Sequence, residues 1–398
     1  MVRTIAFSMR AMPSFFNADP GLSRTKLERL FWLDAAKAYG MFLVYYGHFV
    51  ERISDLQGFV VGTAAFSQYK FIYAFHMPLF FMLSGFVYRH KEQKFSSFLS
   101  HRLLTRILPA IFFNLVAIGV QFVLAGGGAS FYERYQDTNV LLDILSGYPF
   151  GNFVTWFLVC LFTVELLNYI SYPILKNNLW KRAGLSVLAS VAGYYLGLSQ
   201  AAMSELPLQG FNTWYVNEAL IGLSFYQMGF ILKQSGFVDL LQRSFYRYIG
   251  LGISLMATLM LFDLNQGPFI GDRQLVLMAA VSHGNLFLFE ITAIAGALLV
   301  LCVALSTPSK QPLTFIGQNT LTLLGLNFFF AGFAKPIIDK LGLSVFDSGW
   351  AVFLFCTALT LLSFAASIPV IQLLDRFLPQ LIGKPRVKGP LLPPLLRS

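Results

Sequence analysis

The sequence predicts an all-α membrane protein, a bundle of about ten transmembrane helices. Of its 398 residues, 56% are hydrophobic and only 12% are charged. A soluble protein of this length would carry about twice that charged fraction. The hydrophobic residues also form ten segments near the roughly 20 residues that a helix needs to cross a bilayer.

These segments follow one another with short polar links between them. They span residues 32–50, 69–88, 103–125, 152–175, 183–203, 211–232, 247–263, 284–307, 313–335 and 350–374. The fifth and seventh segments are the weakest predictions of a membrane span, because their Tyr, Ser and Gly residues lower the hydrophobicity. We expect a membrane domain over residues 31–376, between a basic N-terminal tail (1–30) and a Pro-rich basic C-terminal tail (377–398). Residues 383–398 and most of residues 1–24 have a composition typical of disorder.

The distribution of Lys and Arg predicts the sidedness. Most of the 29 basic residues fall in the two tails and in alternate links. The intervening links hold only Arg52, Arg134, Arg273, Lys335 and Lys340. Since positive residues are retained in the cytoplasm, both termini are expected inside. The net charge of +10 is therefore a topology signal with some attraction to lipid headgroups, rather than a nucleic-acid-binding surface.

The sequence gives little support for a metal site or for a transporter fold. The three cysteines, Cys160, Cys302 and Cys356, lie in apolar stretches and lack the spacing of metal ligands. No metal site is predicted. No internal repeat or pair of broken helices of the transporter kind is evident.

The first predicted helix carries ionisable residues where lipid makes them costly, which by default indicates function. Asp34, Lys37 and His48 share one stripe, because the 11 steps from Lys37 to His48 return to within about 20° of the same face. Lys37 and His48 are roughly 16 Å apart along the axis. They cannot touch, but they could line one passage. The alternatives are an ion pair of Asp34 with a snorkelling Lys37, and an interfacial His48.

The second predicted helix places His76 at about the depth of His48. Pro78 removes a backbone donor and should kink the helix close to His76. Two histidines with no Cys or carboxylate cluster beside them make a poor metal site but a plausible acid–base site. The alternative is that His76 only hydrogen-bonds within the bundle.

Together these two helices resemble the acyltransferase-3 family of membrane acyltransferases. The pattern D-x-x-[RK]-x10-H matches Asp34, Lys37 and His48, and FHMPLFFMLSGF (75–86) matches the family's second motif with His76. Segments 155–162, 283–296 and 315–327 are similar to later family helices, so the resemblance covers about residues 31–330.

The resemblance implies transfer of an acyl group, most often acetyl, from cytoplasmic acetyl-coenzyme A to a carbohydrate hydroxyl across the membrane. It implies that His48, His76 and Asp34 are catalytic. Polyanionic coenzyme A should bind basic groups at the cytoplasmic face, and the candidates are Lys37, Arg89, Arg102 and Arg106. Candidates for contact with the acceptor are Glu218, Glu290, Trp156 and Asn327. Glu165, Glu218 and Glu290 could instead be protonated links between helices.

Two positions depart from the family pattern. Relatives often have R-x-x-R at the start of the third helix, whereas Arg102 and Arg106 are four residues apart. Many relatives also have a histidine where this chain has Asn327, and asparagine cannot titrate.

The predicted partners are a surface, exported or lipid-linked glycan, membrane lipid and glycan export machinery, without nucleic acid. The predicted location is the bacterial inner membrane. A secondary transporter or flippase for a lipid-linked sugar is the main competing function, because it also needs buried ionisable groups. A catalytically silent relative in an export complex is a third interpretation.

Overall fold

The computed structural model describes residues 24–124, 139–203, 213–270 and 273–396, and in these ranges the regular structure is helical. The α-helices are α1 (Arg24–Leu56), α2 (Ala64–Tyr73), α3 (His76–Val87), α4 (Phe95–Arg102), α5 (Leu108–Leu124), α6 (Val140–Ser146), α7 (Trp156–Leu175), α8 (Leu179–Met203), α9 (Val216–Gln234), α10 (Phe237–Leu241), α11 (Ser244–Leu261), α12 (Leu286–Ser306), α13 (Gln311–Gln318), α14 (Thr320–Leu341) and α15 (Gly349–Phe377). A π-helical turn, Leu103–Ile107, joins α4 to α5. Short 3-10 turns precede α7, α9 and α15.

Seven helical stretches in these ranges are long and apolar enough to cross a membrane. They are α2 with α3, α4 with α5, α7 with the turn before it, α11, α12, α14 and α15. The other three predicted spans coincide with α1, α8 and α9, whose lengths of 33, 25 and 19 residues are sufficient. The protein is therefore an all-α, multi-pass membrane helix bundle. The count of ten crossings and the sidedness remain predictions.

Two predicted segments are broken. The second segment breaks at Ala74 and Phe75, immediately before His76, and Phe75 leaves the helical region (φ −145°, ψ −15°). Pro78 then lies in the first turn of α3, where its missing N–H costs no hydrogen bond. The predicted disturbance near His76 is thus confirmed, as a break that ends three residues before Pro78. The ninth segment breaks at Asn319 into α13 and α14, so its expected start at residue 313 was wrong.

Helix α1 lies at the centre and packs against α2, α3, α12, α13, α14 and α15. Helices α3 and α9 pack closely because glycines face the partner backbone. An added Cβ at Gly85 would lie 1.8 Å from the Tyr226 carbonyl oxygen, and one at Gly229 would lie 1.9 Å from that of Met82. Only glycine permits this separation, so these two positions set the distance between α3 and α9.

Contacts near the ends of the helices define two ends of the bundle. At the histidine end, which holds His48 and His76, Arg273 reaches α1 and Gln68 donates to the Gly349 carbonyl at 3.0 Å. At the basic end, which holds Lys37, Arg102 and Arg106, the α13 residue Gln318 contacts Asp34. The histidine end thus faces the predicted outer side and the basic end the predicted cytoplasmic side.

Residues 378–396 have a defined fold, so the disorder expected for residues 383–398 was wrong as far as residue 396. After α15 a 3-10 turn, Pro379–Ile382, reverses the chain. Buried Gln380 then donates from Nε2 to the carbonyls of Val387 and Leu392, at 2.9 and 2.7 Å. The expectation for the N-terminal tail concerns residues 1–23, which lie outside the described ranges.

Candidate functional site

His48 and Glu51 lie one helical turn apart on α1 and contact each other. Nδ1 of His48 is 3.1 Å from Oε2 of Glu51. Because a carboxylate only accepts hydrogen bonds, Nδ1 must carry the proton and donate it. The lone pair of the neutral ring is then on Nε2, which can accept a proton from a substrate.

Glu51 is the centre of a hydrogen-bonded network at the histidine end. Tyr73 donates its hydroxyl to Oε2 at 2.9 Å, and Arg273 donates to Oε1 at 2.7 Å. Arg273 also reaches the hydroxyl of Tyr69 at 3.4 Å. Burial acts to lower the pKa of Arg273, but Tyr69 and Glu51 outweigh it and raise that pKa above its ordinary value. The network therefore holds the carboxylate of Glu51 in place beside His48.

His76 belongs to the same site and is 4% exposed. Its Nδ1 lies 3.0 Å from the Ile72 carbonyl oxygen, which accepts a hydrogen bond from the Nδ1–H, so Nε2 again carries the lone pair. The ring of Tyr73 is 4.6 Å from the ring of His76 and 6.3 Å from that of His48. The two predicted histidines thus flank Tyr73.

The helix break before His76 makes this arrangement possible. Residues 73–75 turn between α2 and α3, so Tyr73 and His76 both face the Glu51 end of α1. Each histidine has one fixed Nδ1–H, and neither Nε2 has a protein partner in the described part of the chain. Chemically, this is a site with two imidazoles, each with its Nε2 free of protein partners, an arrangement suited to general acid–base catalysis.

The other predicted α1 residues lie at the basic end. Lys37 Nζ is 3.7 Å from Asp34 Oδ1, and Gln318 donates to Asp34 Oδ2 at 3.2 Å. The i,i+3 ion pair, the alternative to a functional role for these two residues, is therefore present. Lys37 remains 29% exposed, so its ammonium can still meet a ligand.

Arg102 and Arg106 converge on Glu165 of α7. Their guanidinium nitrogens lie 3.1 and 3.0 Å from the same carboxylate oxygen. The π turn between them holds one more residue per turn than an α-helix, so the four-residue spacing still directs both side chains to one place. Glu165 is therefore the shared ion-pair partner of these two arginines.

Four further candidates contact other parts of the bundle or lie at its surface. Arg89 is exposed just beyond α3. Glu290 accepts a hydrogen bond from Ser190 of α8. The ring of Trp156 lies 5.7 Å from that of Tyr215 at a tilt of 45°, and fully buried Glu218 interacts electrostatically with Tyr215.

Asn327 is fully buried, and neither polar atom of its amide has a partner among the described residues. A buried amide without partners is costly and is expected to meet a ligand or water. Asn327 lies four residues after Leu323 on α14. The carbonyl oxygen of Leu323 accepts a hydrogen bond from the hydroxyl of Tyr45 on α1 at 2.7 Å. This contact places Asn327, one turn further on, at about the level of His48.

The sequence interpretation overlooked Glu51, Tyr73, Tyr69 and Arg273. Glu51 could have been found, because it lies three residues after His48 and therefore on the same helix face. Arg273 lies 222 residues from Glu51 in the chain. Its only sequence signal was its position as a basic residue in a link predicted to lie outside.

Within the described ranges, no three His, Cys, Asp or Glu side chains cluster as metal ligands. A family model described as an acyltransferase domain matches residues 30–371. No curated protein and no solved structure matches the chain significantly. Because the matched region covers most of the sequence, the chain belongs to the acyltransferase-3 family of membrane acyltransferases.

Proposed function

We propose that the protein transfers an acyl group, most often acetyl, from cytoplasmic acetyl-coenzyme A to a hydroxyl of a surface, exported or lipid-linked carbohydrate. The observation that carries this proposal is the His48–Glu51 pair beside His76, within an acyltransferase domain. The proposed setting is the bacterial inner membrane, where glycan export machinery could present the acceptor. The positive charge of the basic end supports binding of the polyanionic donor there.

His48 acts as the general base in this proposal. An alcohol is a weak nucleophile at neutral pH, so Nε2 of His48 takes the hydroxyl proton as the alcohol oxygen attacks the thioester carbonyl. Glu51 stabilises the imidazolium that forms. When the carbon–sulfur bond breaks, the imidazolium returns the proton to the leaving thiolate, and the products are the ester and the free thiol.

The two ends of the bundle divide the binding of the substrates. Lys37, Arg102 and Arg106 are proposed to bind the phosphates of coenzyme A. The roughly 16 Å between Lys37 and His48 along α1 suits an extended pantetheine arm directed towards the histidines. Glu218, Glu290, Trp156 and Asn327 remain proposed contacts for the carbohydrate.

Substitution of His48 tests this function. We expect His48→Ala to reduce acyl transfer by about 10²-fold or more, because it removes the base. NMR measures the O-acetylation of the surface glycan in a gene-deletion strain that is complemented with each variant. His90→Ala is the control, since His90 is exposed and stacks on Tyr172 away from Glu51. A modest loss in His48→Ala, or a wild-type protein that releases no coenzyme A, would contradict the proposal.

A further inference from the structure

The C-terminal segment, residues 378–396, lies beyond the region that the family model matches, yet it has a defined fold. Gln380 fixes it through its two hydrogen bonds to the carbonyls of Val387 and Leu392. Two backbone hydrogen bonds also hold the segment together. Leu395 N–H donates to the Pro385 carbonyl at 2.8 Å, and Gly389 N–H donates to the Leu392 carbonyl at 3.1 Å. The segment is therefore a fixed part of the basic end.

This segment lies against the helix that carries Arg102 and Arg106. Its 3-10 turn, Pro379–Ile382, packs on α5 and on the π turn. A Cβ at the next residue, Gly383, would be 3.5 Å from the carbonyl oxygen of Thr105. Thr105 lies between the two arginines in the π turn, so the segment lies beside the arginine pair.

The C-terminal segment adds the guanidinium group of Arg386 to the surroundings of Arg102 and Arg106. Arg386 is exposed, and in the described part of the chain it forms neither an ion pair nor a hydrogen bond. It acts electrostatically on His101, as do Arg102 and Arg106. In contrast, Lys384 is already paired with Asp375.

The charges of this cluster do not cancel. Glu165 is one carboxylate facing two arginines, and Arg386 adds a third cation without an acid of its own. Two partly exposed guanidinium groups beside an exposed one favour a ligand with several negative charges, and the guanidinium fork matches phosphate oxygens. A nucleotide-bearing thioester has such charges, whereas a sugar does not.

We propose that the C-terminal segment forms one wall of the acyl-donor site and that Arg386 binds a phosphate group of the donor. This inference rests on the proposed function and adds a binding residue from outside the family domain. Arg386 is a donor-binding residue that does not touch the reacting carbonyl, so its removal changes donor affinity and leaves kcat unaltered.

Arg386→Gln in the full-length purified protein tests the inference. We expect the KM for acetyl-coenzyme A and the Kd for coenzyme A to rise about fivefold, with kcat unchanged, because one exposed charge-assisted contact is lost. The KM for S-acetylpantetheine, which lacks phosphate, should not change. Arg386→Lys should restore part of the affinity.

Arg376→Gln is the matched control, since Arg376 is exposed near the end of α15 and contacts the ring of Phe377. The inference is overturned if Arg386→Gln behaves like this control, or if it affects both thioesters equally. Failure of the proposed function has a different signature: the unsubstituted protein would turn over no acyl-coenzyme A. The coenzyme A binding measurement would still report on Arg386 in that case.

Discussion

At the residue scale, Glu51 decides how His48 can act. A histidine alone on a helix face can adopt either tautomer, but the carboxylate one turn away fixes the proton on Nδ1. Glu51 is itself held by Tyr73 and Arg273, which come from α2 and from the link after α11. His48 is therefore positioned by three different parts of the chain.

Replacing Glu51 by Gln tests this role. We expect Glu51→Gln to lower acyl transfer by about 10²-fold or more, because the amide neither fixes the tautomer nor stabilises the imidazolium. Initial rates of coenzyme A release by purified protein measure the effect. Asp55→Asn is the control, as Asp55 is exposed on the same helix and pairs with Arg52 at 3.1 Å. A rate for Glu51→Gln equal to that of this control would show that Glu51 does not position the base.

At the element scale, departures from a regular α-helix place the functional side chains. The break between α2 and α3 brings Tyr73 and His76 together, and the π turn before α5 directs Arg102 and Arg106 to one carboxylate. The glycines of α3 and α9 contribute in another way. They allow a close helix crossing that fixes α3, and with it His76, in the bundle.

A methyl group at this crossing should disrupt it. We expect Gly85→Ala to destabilise the protein by about 2 kcal/mol or more, since its Cβ would overlap a backbone oxygen that cannot move independently of α9. The thermal unfolding midpoint in a single detergent measures the change. Gly119→Ala on α5 is the control, because nothing lies within 4 Å of its added Cβ. Equal midpoints for the two variants would contradict the close-crossing argument.

At the scale of the whole molecule, the two ends of the bundle carry different chemistry. The histidine end has two imidazoles and a carboxylate held by hydrogen bonds, and the basic end has an excess of guanidinium groups. Helix α1 connects them, with Lys37 near one end and His48 near the other. This polarity matches a reaction whose donor and acceptor approach from opposite sides of a membrane.

The sidedness itself can be tested with a membrane-impermeant maleimide. The native thiols Cys160, Cys302 and Cys356 are all buried, so labelling should report only an introduced cysteine. We expect Val61→Cys, at the histidine end, to react in intact cells. Lys388→Cys, at the basic end, should react only after the membrane is permeabilised. The reverse pattern would overturn the predicted orientation, and labelling of both in intact cells would contradict the opposed ends.

The apolar segments by themselves determined the helical membrane architecture, because a bilayer core requires long apolar helices. His48 and His76, which match the family's motifs, could likewise be predicted as functional residues, since ionisable side chains in such segments are costly. Only the tertiary structure decided their partners. Arg273 meets Glu51, Glu165 meets the arginine pair, and the C-terminal segment folds onto α5 through contacts between distant parts of the chain. Helical periodicity specifies neighbours within three or four residues, whereas contacts between helices depend on how the whole bundle packs.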